Sequence, residues 1–144
     1  MEEQVFYPLI EEKLKTMGRV TSTHGRKGEE FLPDFIIEGE DGKRTAVTVG
    51  YESHRERLVP RLLCQKVFRI LVHLQRFDRV LYIAPYEQLK IVCDMLGWVN
   101  VKLDKRFQTA DLGYMVGMKM FNKRLENVGS ELRRARRTLR NLEY

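Results

Sequence analysis

Apolar positions in the first third of the chain follow helical spacing and then strand-like spacing. Residues 3–17 place apolar side chains three or four positions apart, which predicts a helix. A short strand is expected at 19–23. The β-rich runs at 31–39 and 43–51 flank a turn at 41–42, and this arrangement predicts a β-hairpin.

The middle of the chain alternates between amphipathic segments and apolar runs. Residues 57–77 and 86–96 repeat apolar positions at helical spacing, so each predicted helix is expected to bury one face. The continuous apolar run at 79–85 predicts a buried strand, and residues 99–103 predict a last strand. The order is therefore αβββαβαβ. Because strand–helix–strand crossovers are right-handed, we expect a mixed sheet with helices on both faces.

The C-terminal segment carries the most regular pattern. Its apolar residues recur at alternating spacings of four and three, which is typical of a coiled-coil helix, here about 44 Å long if fully helical. This seam consists of Tyr114, Met118, Phe121, Leu125, Val128, Leu132, Ala135, Leu139 and Leu142. Gly117 and Gly129 each cost about 1 kcal/mol relative to alanine and could break the helix. We expect the seam to pair with a second copy as a homodimer; packing on its own domain is the alternative.

The expected organisation is one α/β domain at 1–103, followed by a basic helical tail at 104–144. The tail contains ten Lys or Arg against five acids, whereas residues 1–103 contain sixteen against fifteen. The net charge of +6 is therefore concentrated in the tail. This asymmetry favours a polyanionic partner such as nucleic acid, and an ordinary solvated surface is the alternative.

Composition and motifs argue against several classes of protein. The apolar runs are shorter than the ~20 residues of a membrane span, and no signal-peptide pattern is present, so we expect a cytoplasmic protein without a membrane partner. Cys64 and Cys93 have no Cys or His at ligand spacing and are expected to be reduced core residues. No P-loop, GxGxxG or GxSxG motif occurs, which argues against nucleotide hydrolysis, dinucleotide chemistry and serine hydrolysis.

The element order and one short motif resemble the restriction-endonuclease-like, PD-(D/E)XK nuclease superfamily. Pro33 and Asp34 begin the second predicted strand, and AVTVGYE follows after the turn. The resemblance spans about residues 3–103. It implies two carboxylates on adjacent strands that hold Mg²⁺. It also implies a lysine, two residues beyond the second carboxylate, that helps to stabilise the charge developing on phosphate.

The resemblance assigns the first carboxylate to Asp34, but the second half of the motif is degenerate. Thr48 and Gly50 stand where the family has an acid and a lysine. Glu52 has the same strand parity and could supply the missing metal ligand, while Lys66 could supply the missing lysine. We expect a nuclease-like fold that binds nucleic acid without cutting it. An active Mg²⁺-dependent DNA endonuclease that uses these residues is the alternative.

Two groups of basic residues are candidates for binding nucleic acid, which we expect to be DNA. The helix predicted at 57–77 carries a polar stripe of Arg61, Gln65, Arg69, His73 and Arg76. His73 is expected to be exposed, and Gln65 is similar to a polar residue that some nucleases of the superfamily place beside the metal. The tail carries Arg133, Arg134, Arg136, Arg137 and Arg140. Their phosphate contacts would be insensitive to sequence and sensitive to salt.

Two interpretations without nucleic acid remain open. The polar stripe at 57–77 is also typical of the solvent-exposed face of an ordinary amphipathic helix. The C-terminal helix could instead bind a protein partner, which would make the chain an interaction subunit.

Overall fold

The computed structural model of the protein describes residues 3–23, 31–52, 54–98 and 106–117. In chain order, the helices and strands of this part are α1 (Tyr7–Leu14), β1 (Arg19–Ser22), β2 (Phe35–Glu38), β3 (Arg44–Val49), α2 (Pro60–Arg76), β4 (Arg79–Ala84), α3 (Tyr86–Trp98), β5 (Phe107–Asp111) and α4 (Leu112–Val116). Short 3-10 turns at Glu3–Phe6 and Arg55–Arg57 precede α1 and α2.

The strands form one mixed sheet in the order β1-β2-β3-β4-β5. The first three strands are antiparallel, and β3, β4 and β5 run parallel. Because parallel neighbours need a crossover, α2 joins β3 to β4 and α3 joins β4 to β5. The predicted mixed α/β sheet with flanking helices is confirmed.

The core lies in two layers, one on each face of the sheet. Side chains of β3 alternate between them, because successive residues of a strand point to opposite faces. Val47 and Val49 join the layer covered by α1 and α4. Ala46 faces the layer beneath α2 and α3. Full burial of one such aliphatic side chain stabilises the fold by roughly 1.5–3 kcal/mol.

The hairpin of β2 and β3 has a defined register, which the sequence leaves open. Phe35 lies opposite Val47, and Glu38 lies opposite Arg44. In the turn, Gly42 has a φ of 78°, a left-handed value that glycine adopts without strain. This register places Asp34, immediately before β2, beside the end of β3.

The helix predicted at 57–77 is shorter in the structure. Proline disfavours a helical conformation in the residue before it, and Val59 is extended with φ −130° and ψ 150°. Helix α2 therefore begins at Pro60, where the proline ring suits the first helical position. It ends at Arg76, since Phe77 is again extended.

The last strand of the sheet was not predicted at its position. The predicted strand at 99–103 lies outside the described residues, and β5 at Phe107–Asp111 falls in the segment interpreted as tail. Its sequence, FQTAD, has little apolar pattern, and its middle positions are exposed. Backbone pairing with β4 forms the strand, and the Arg106 guanidinium donates to the carbonyl oxygen of Asp78 at 3.2 Å.

The described part of the chain contains one position of the predicted apolar seam. Helix α4 buries Leu112, Met115 and Val116, whereas Tyr114, the first predicted seam position, is 72% exposed. The helix ends at Gly117, which has a φ of 84°. Helix α4 therefore ends at this glycine, and the seam from Met118 onward lies outside the described residues. Within the part described, no helix is long and apolar enough to cross a membrane.

Candidate functional site

Asp34 is buried at the start of β2, and protein groups donate to both of its carboxylate oxygens. Oδ1 accepts from the Tyr7 hydroxyl at 3.0 Å, and Oδ2 accepts from the Val49 backbone N–H at 2.7 Å. The residue is 8% exposed, and its own N–H donates to the Val47 carbonyl at 2.8 Å. Asp34 therefore ties α1 to the end of β3, so it has a structural role whatever else it does.

Thr48 stands where the resemblance would place a second acid, and it lies in a buried network. Its hydroxyl is 3.2 Å from Nδ1 of His73, and Nε2 of His73 is 2.7 Å from the Phe31 carbonyl oxygen. Burial lowers the pKa of His73, so its ring is neutral at pH 7. Because a carbonyl only accepts, Nε2 carries the ring proton, and the Thr48 hydroxyl donates to Nδ1.

The expectation that His73 is exposed is wrong, because its side chain is completely buried. Each step of four residues advances about 40° beyond a full helical turn, so a stripe from Arg61 to His73 rotates by about 120°. Arg61, Gln65 and Arg69 are exposed or half-exposed, whereas His73 joins Ile70 on the buried side.

Gly50 stands where the resemblance would place a lysine, and the space beside it is filled. A Cβ atom there would collide with the Tyr82 hydroxyl and the Gln88 amide. Gln88 is itself buried, donates to the Tyr82 hydroxyl at 2.7 Å and accepts from the Glu52 N–H at 3.1 Å. A lysine at this position would have to displace both side chains.

The two candidate replacements lie in different settings. Glu52 is partly buried near Gln88, and its Oε1 accepts from the His54 N–H at 3.4 Å. Lys66 lies on α2 and lines a groove with Gln65 and Arg69.

The motif positions do not provide the ligands that Mg²⁺ requires. Asp34 has both oxygens engaged, Thr48 is bonded to His73, and Gly50 has no side chain. In the described ranges, no cluster of three or more His, Cys, Asp or Glu side chains could hold a metal ion. Positions 34, 48 and 50 therefore supply one carboxylate, not the two that the resemblance implies for a magnesium site.

A groove lies on the outer side of α2, and we call it the α2 groove. It has a volume of about 690 Å³ and is lined by Phe31, Cys64, Gln65, Lys66, Phe68 and Arg69. The rings of Phe31 and Phe68 meet edge to face, with centroids 5.1 Å apart. The prediction that Cys64 is a core residue is wrong, because it follows buried Leu63 and one residue turns a helix by about 100°.

The charge on α2 has one sign. The helix contains Arg61, Lys66, Arg69 and Arg76 and no acidic residue. The positive end of the helix dipole disfavours a cation in the first turn by a few tenths of a kcal/mol or more. Arg61 stands there nevertheless, so helix stability does not explain its presence.

Several site residues were not recognised from the sequence. Gln88 is spaced four and seven residues from buried Val92 and Met95, so its helical phase could have indicated burial. Phe68 is an aromatic residue between polar Gln65 and Arg69 on the wet side of a helix, which is itself a signal of a binding surface. The tail arginines and the seam beyond Gly117 lie outside the described residues.

Comparison of the chain with models of known protein families, with curated proteins and with solved structures found no match.

Proposed function

We propose that the protein binds nucleic acid, expected to be DNA, through the basic outer side of α2, and that it does not cleave its ligand. The observation that carries this proposal is a helix with four cations, no acid and an exposed outer side. Phosphate oxygens are the natural partners of such a surface, since guanidinium groups bind them through charge-assisted hydrogen bonds.

The absence of cleavage in this proposal is supported by the contacts of two motif positions. Asp34 accepts hydrogen bonds from Tyr7 and Val49, and Thr48 is bonded to buried His73. The nuclease-like fold assignment itself rests on the order of elements and on Pro33-Asp34. We therefore propose that the fold is similar to that of the family and that internal hydrogen bonds replace the metal site.

The tail belongs to the same proposal on the basis of its sequence. Its arginines would add phosphate contacts, and its heptad spacing favours a homodimer that would present two basic surfaces to one ligand.

Salt dependence gives the proposal a magnitude. If α2 makes three phosphate contacts with duplex DNA, a plot of the logarithm of the binding constant against the logarithm of the salt concentration should have a slope of about −2.7. That slope corresponds to a loss of roughly 40-fold between 50 and 200 mM salt.

The test compares two double charge reversals by fluorescence anisotropy on labelled DNA. Arg61→Glu with Arg69→Glu changes the outer side of α2, whereas Lys15→Glu with Lys43→Glu makes the same change in net charge at exposed sites outside α2. We expect the first pair to reduce affinity at least tenfold and the second to change it less than threefold. Equal losses, or no loss from the α2 pair, would overturn the assignment of the surface.

A further inference from the structure

The α2 groove combines aromatic and cationic side chains on one side of a single helical turn. Gln65, Phe68 and Arg69 are spaced three and four residues apart, so their side chains are neighbours on the helix surface. Phe68 is 53% exposed. Exposure of an aromatic ring to water is unfavourable, and the inward side of α2 offers apolar partners instead. A solvated helix face needs charge, but it does not need this ring.

Phe31 is held against Phe68 by an unusual backbone conformation. Its φ is 62°, the left-handed region that bulky residues rarely adopt. The His73 Nε2–H donates to the Phe31 carbonyl at 2.7 Å, and this contact secures the conformation from within the core. Backbone conformations of this kind persist where the surrounding structure fixes them, and they concentrate at binding sites.

We propose that the α2 groove binds an unstacked base of single-stranded nucleic acid. The base stacks on Phe68, Arg69 and Lys66 contact the adjoining phosphates, and the Gln65 amide reaches polar atoms on the edge of the base. This proposal rests on the proposed function and specifies the form of its ligand.

Single strands suit the groove better than duplex does. In a duplex both faces of a base are covered by the neighbouring bases. Phe68 could therefore stack on a base only if the DNA duplex opened. Single-stranded segments offer a base face and a phosphate within one nucleotide, and proteins bind them with aromatic rings beside cations. A volume of about 690 Å³ lies within the range of small-ligand sites and can admit one nucleotide.

The charge of α2 also favours one chemistry for the occupant. All four ionised side chains of α2 are cations, so a ligand that adds negative charge beside an apolar planar group is favoured. A second copy of α2 would bring four more cations to the same place and is disfavoured for that reason.

The first measurement is anisotropy with a labelled dT12 strand and with a 12-base-pair duplex at one salt concentration. Stacking on one aromatic ring is worth roughly 5- to 150-fold in affinity. We expect Phe68→Ala to weaken dT12 binding by about tenfold or more and duplex binding by less than twofold. Phe68→Tyr keeps the ring and retains dT12 affinity.

Tyr86→Ala provides the matched control, because Tyr86 is an exposed aromatic residue at the start of α3. It leaves both affinities unchanged. Circular dichroism of each variant confirms that the fold is intact, since neither ring is buried.

The second measurement is protection of a cysteine in the wild-type protein. Cys64 lines the groove and is exposed, whereas Cys93 is partly buried, and burial raises the pKa of its thiol. Alkylation followed by peptide mass spectrometry should show Cys64 reacting first and becoming protected more strongly by dT12 than by an equal occupancy of duplex.

The outcomes separate the two proposals. If the protein binds neither dT12 nor duplex, the proposed function fails and this inference fails with it. If it binds both but Phe68→Ala changes neither affinity, or Cys64 stays reactive in the dT12 complex, only the single-strand inference is overturned. Protection of Cys64 that rises with protein concentration in the absence of DNA would assign the groove to a second copy and overturn it too.

Discussion

The imidazole Nε2–H of His73 donates a hydrogen bond of 2.7 Å to the carbonyl oxygen of Phe31. The other ring nitrogen is bonded to Thr48 on β3, so one buried side chain connects the sheet to the α2 groove. Thr48 stands where the family that the chain resembles has a catalytic acid. Its contact with His73, and the contact of His73 with Phe31, thus connect this position to the proposed binding surface. A residue of this kind is expected to affect both stability and binding.

Stability should fall in acid because His73 is buried in its neutral form. Desolvation is the main cause of its lowered pKa; Arg69 and Arg76 also lower the pKa, while the Phe31 carbonyl and Asp34 oppose them. The unfolded chain therefore binds a proton near the ordinary value of 6.5, whereas the folded chain does not. The contribution is fully present above pH 6.5 and is lost below it, at up to about 1.4 kcal/mol per pH unit.

Thermal unfolding of wild type and His73→Gln between pH 8 and pH 5 measures this effect. We expect the variant to be less stable at pH 8, but its Tm to fall less than that of wild type below pH 6.5. His54→Gln, at an exposed position, keeps the wild-type pH dependence. Parallel pH profiles for wild type and His73→Gln would contradict a neutral, buried His73.

Removing the Asp34 carboxylate should unfold the protein more easily. Asp34→Ala leaves the Val49 N–H and the Tyr7 hydroxyl without the acceptor that they share in the core. Loss of such buried partners costs about 2–4 kcal/mol. Urea denaturation gives this value, and Glu12→Ala, at an exposed carboxylate on α1, should stay within about 0.5 kcal/mol of wild type. A carboxylate retained mainly to bind metal would instead leave stability unchanged or raised when removed.

Gly50 should tolerate no side chain. Gly50→Ala forces the new Cβ atom against Tyr82 and Gln88, and overpacking of this kind costs roughly 1–3 kcal/mol. Gly97→Ala is the control, because a Cβ at that helical position meets nothing within 4 Å and alanine favours helix by about 1 kcal/mol. Opposite signs in the two unfolding free energies are expected. A neutral Gly50→Ala would show that the space for a lysine exists.

The tail arginines should contribute affinity without sequence preference. Changing Arg133, Arg134, Arg136, Arg137 and Arg140 to glutamine removes up to five phosphate contacts and should reduce the salt slope by about 4 to 5 on duplex DNA. Binding to several unrelated sequences should weaken by the same factor. Unchanged affinity would place all of the phosphate contacts elsewhere in the protein.

Much of the fold could be predicted because the hydrophobic pattern and the secondary structure have the same periods. The hairpin, the buried strand β4 and the helices α2 and α3 follow directly from it. Strand β5 does not, since FQTAD is held by backbone bonds to β4 and its apolar pattern is weak. A single sequence carries little information about a strand of that kind.

The candidate site was only partly predictable. The motif drew attention to Asp34, but its two hydrogen-bond donors come from α1 and β3, which are 27 and 15 residues away along the chain. The prediction that His73 is exposed was wrong because positions spaced four residues apart rotate gradually around a helix. Contacts such as that between His73 and Phe31 depend on where a loop meets a helix, which periodicity does not specify.

The most direct test of binding without cleavage puts both activities in one experiment. Labelled single-stranded and duplex DNA are incubated with wild-type protein in Mg²⁺ and in Mn²⁺, and complex formation and strand length are followed on parallel gels. We expect a salt-sensitive complex and full-length DNA with either metal. Metal-dependent cutting that disappears in Glu52→Gln would contradict the account, because it would show that Glu52 completes a working nuclease site.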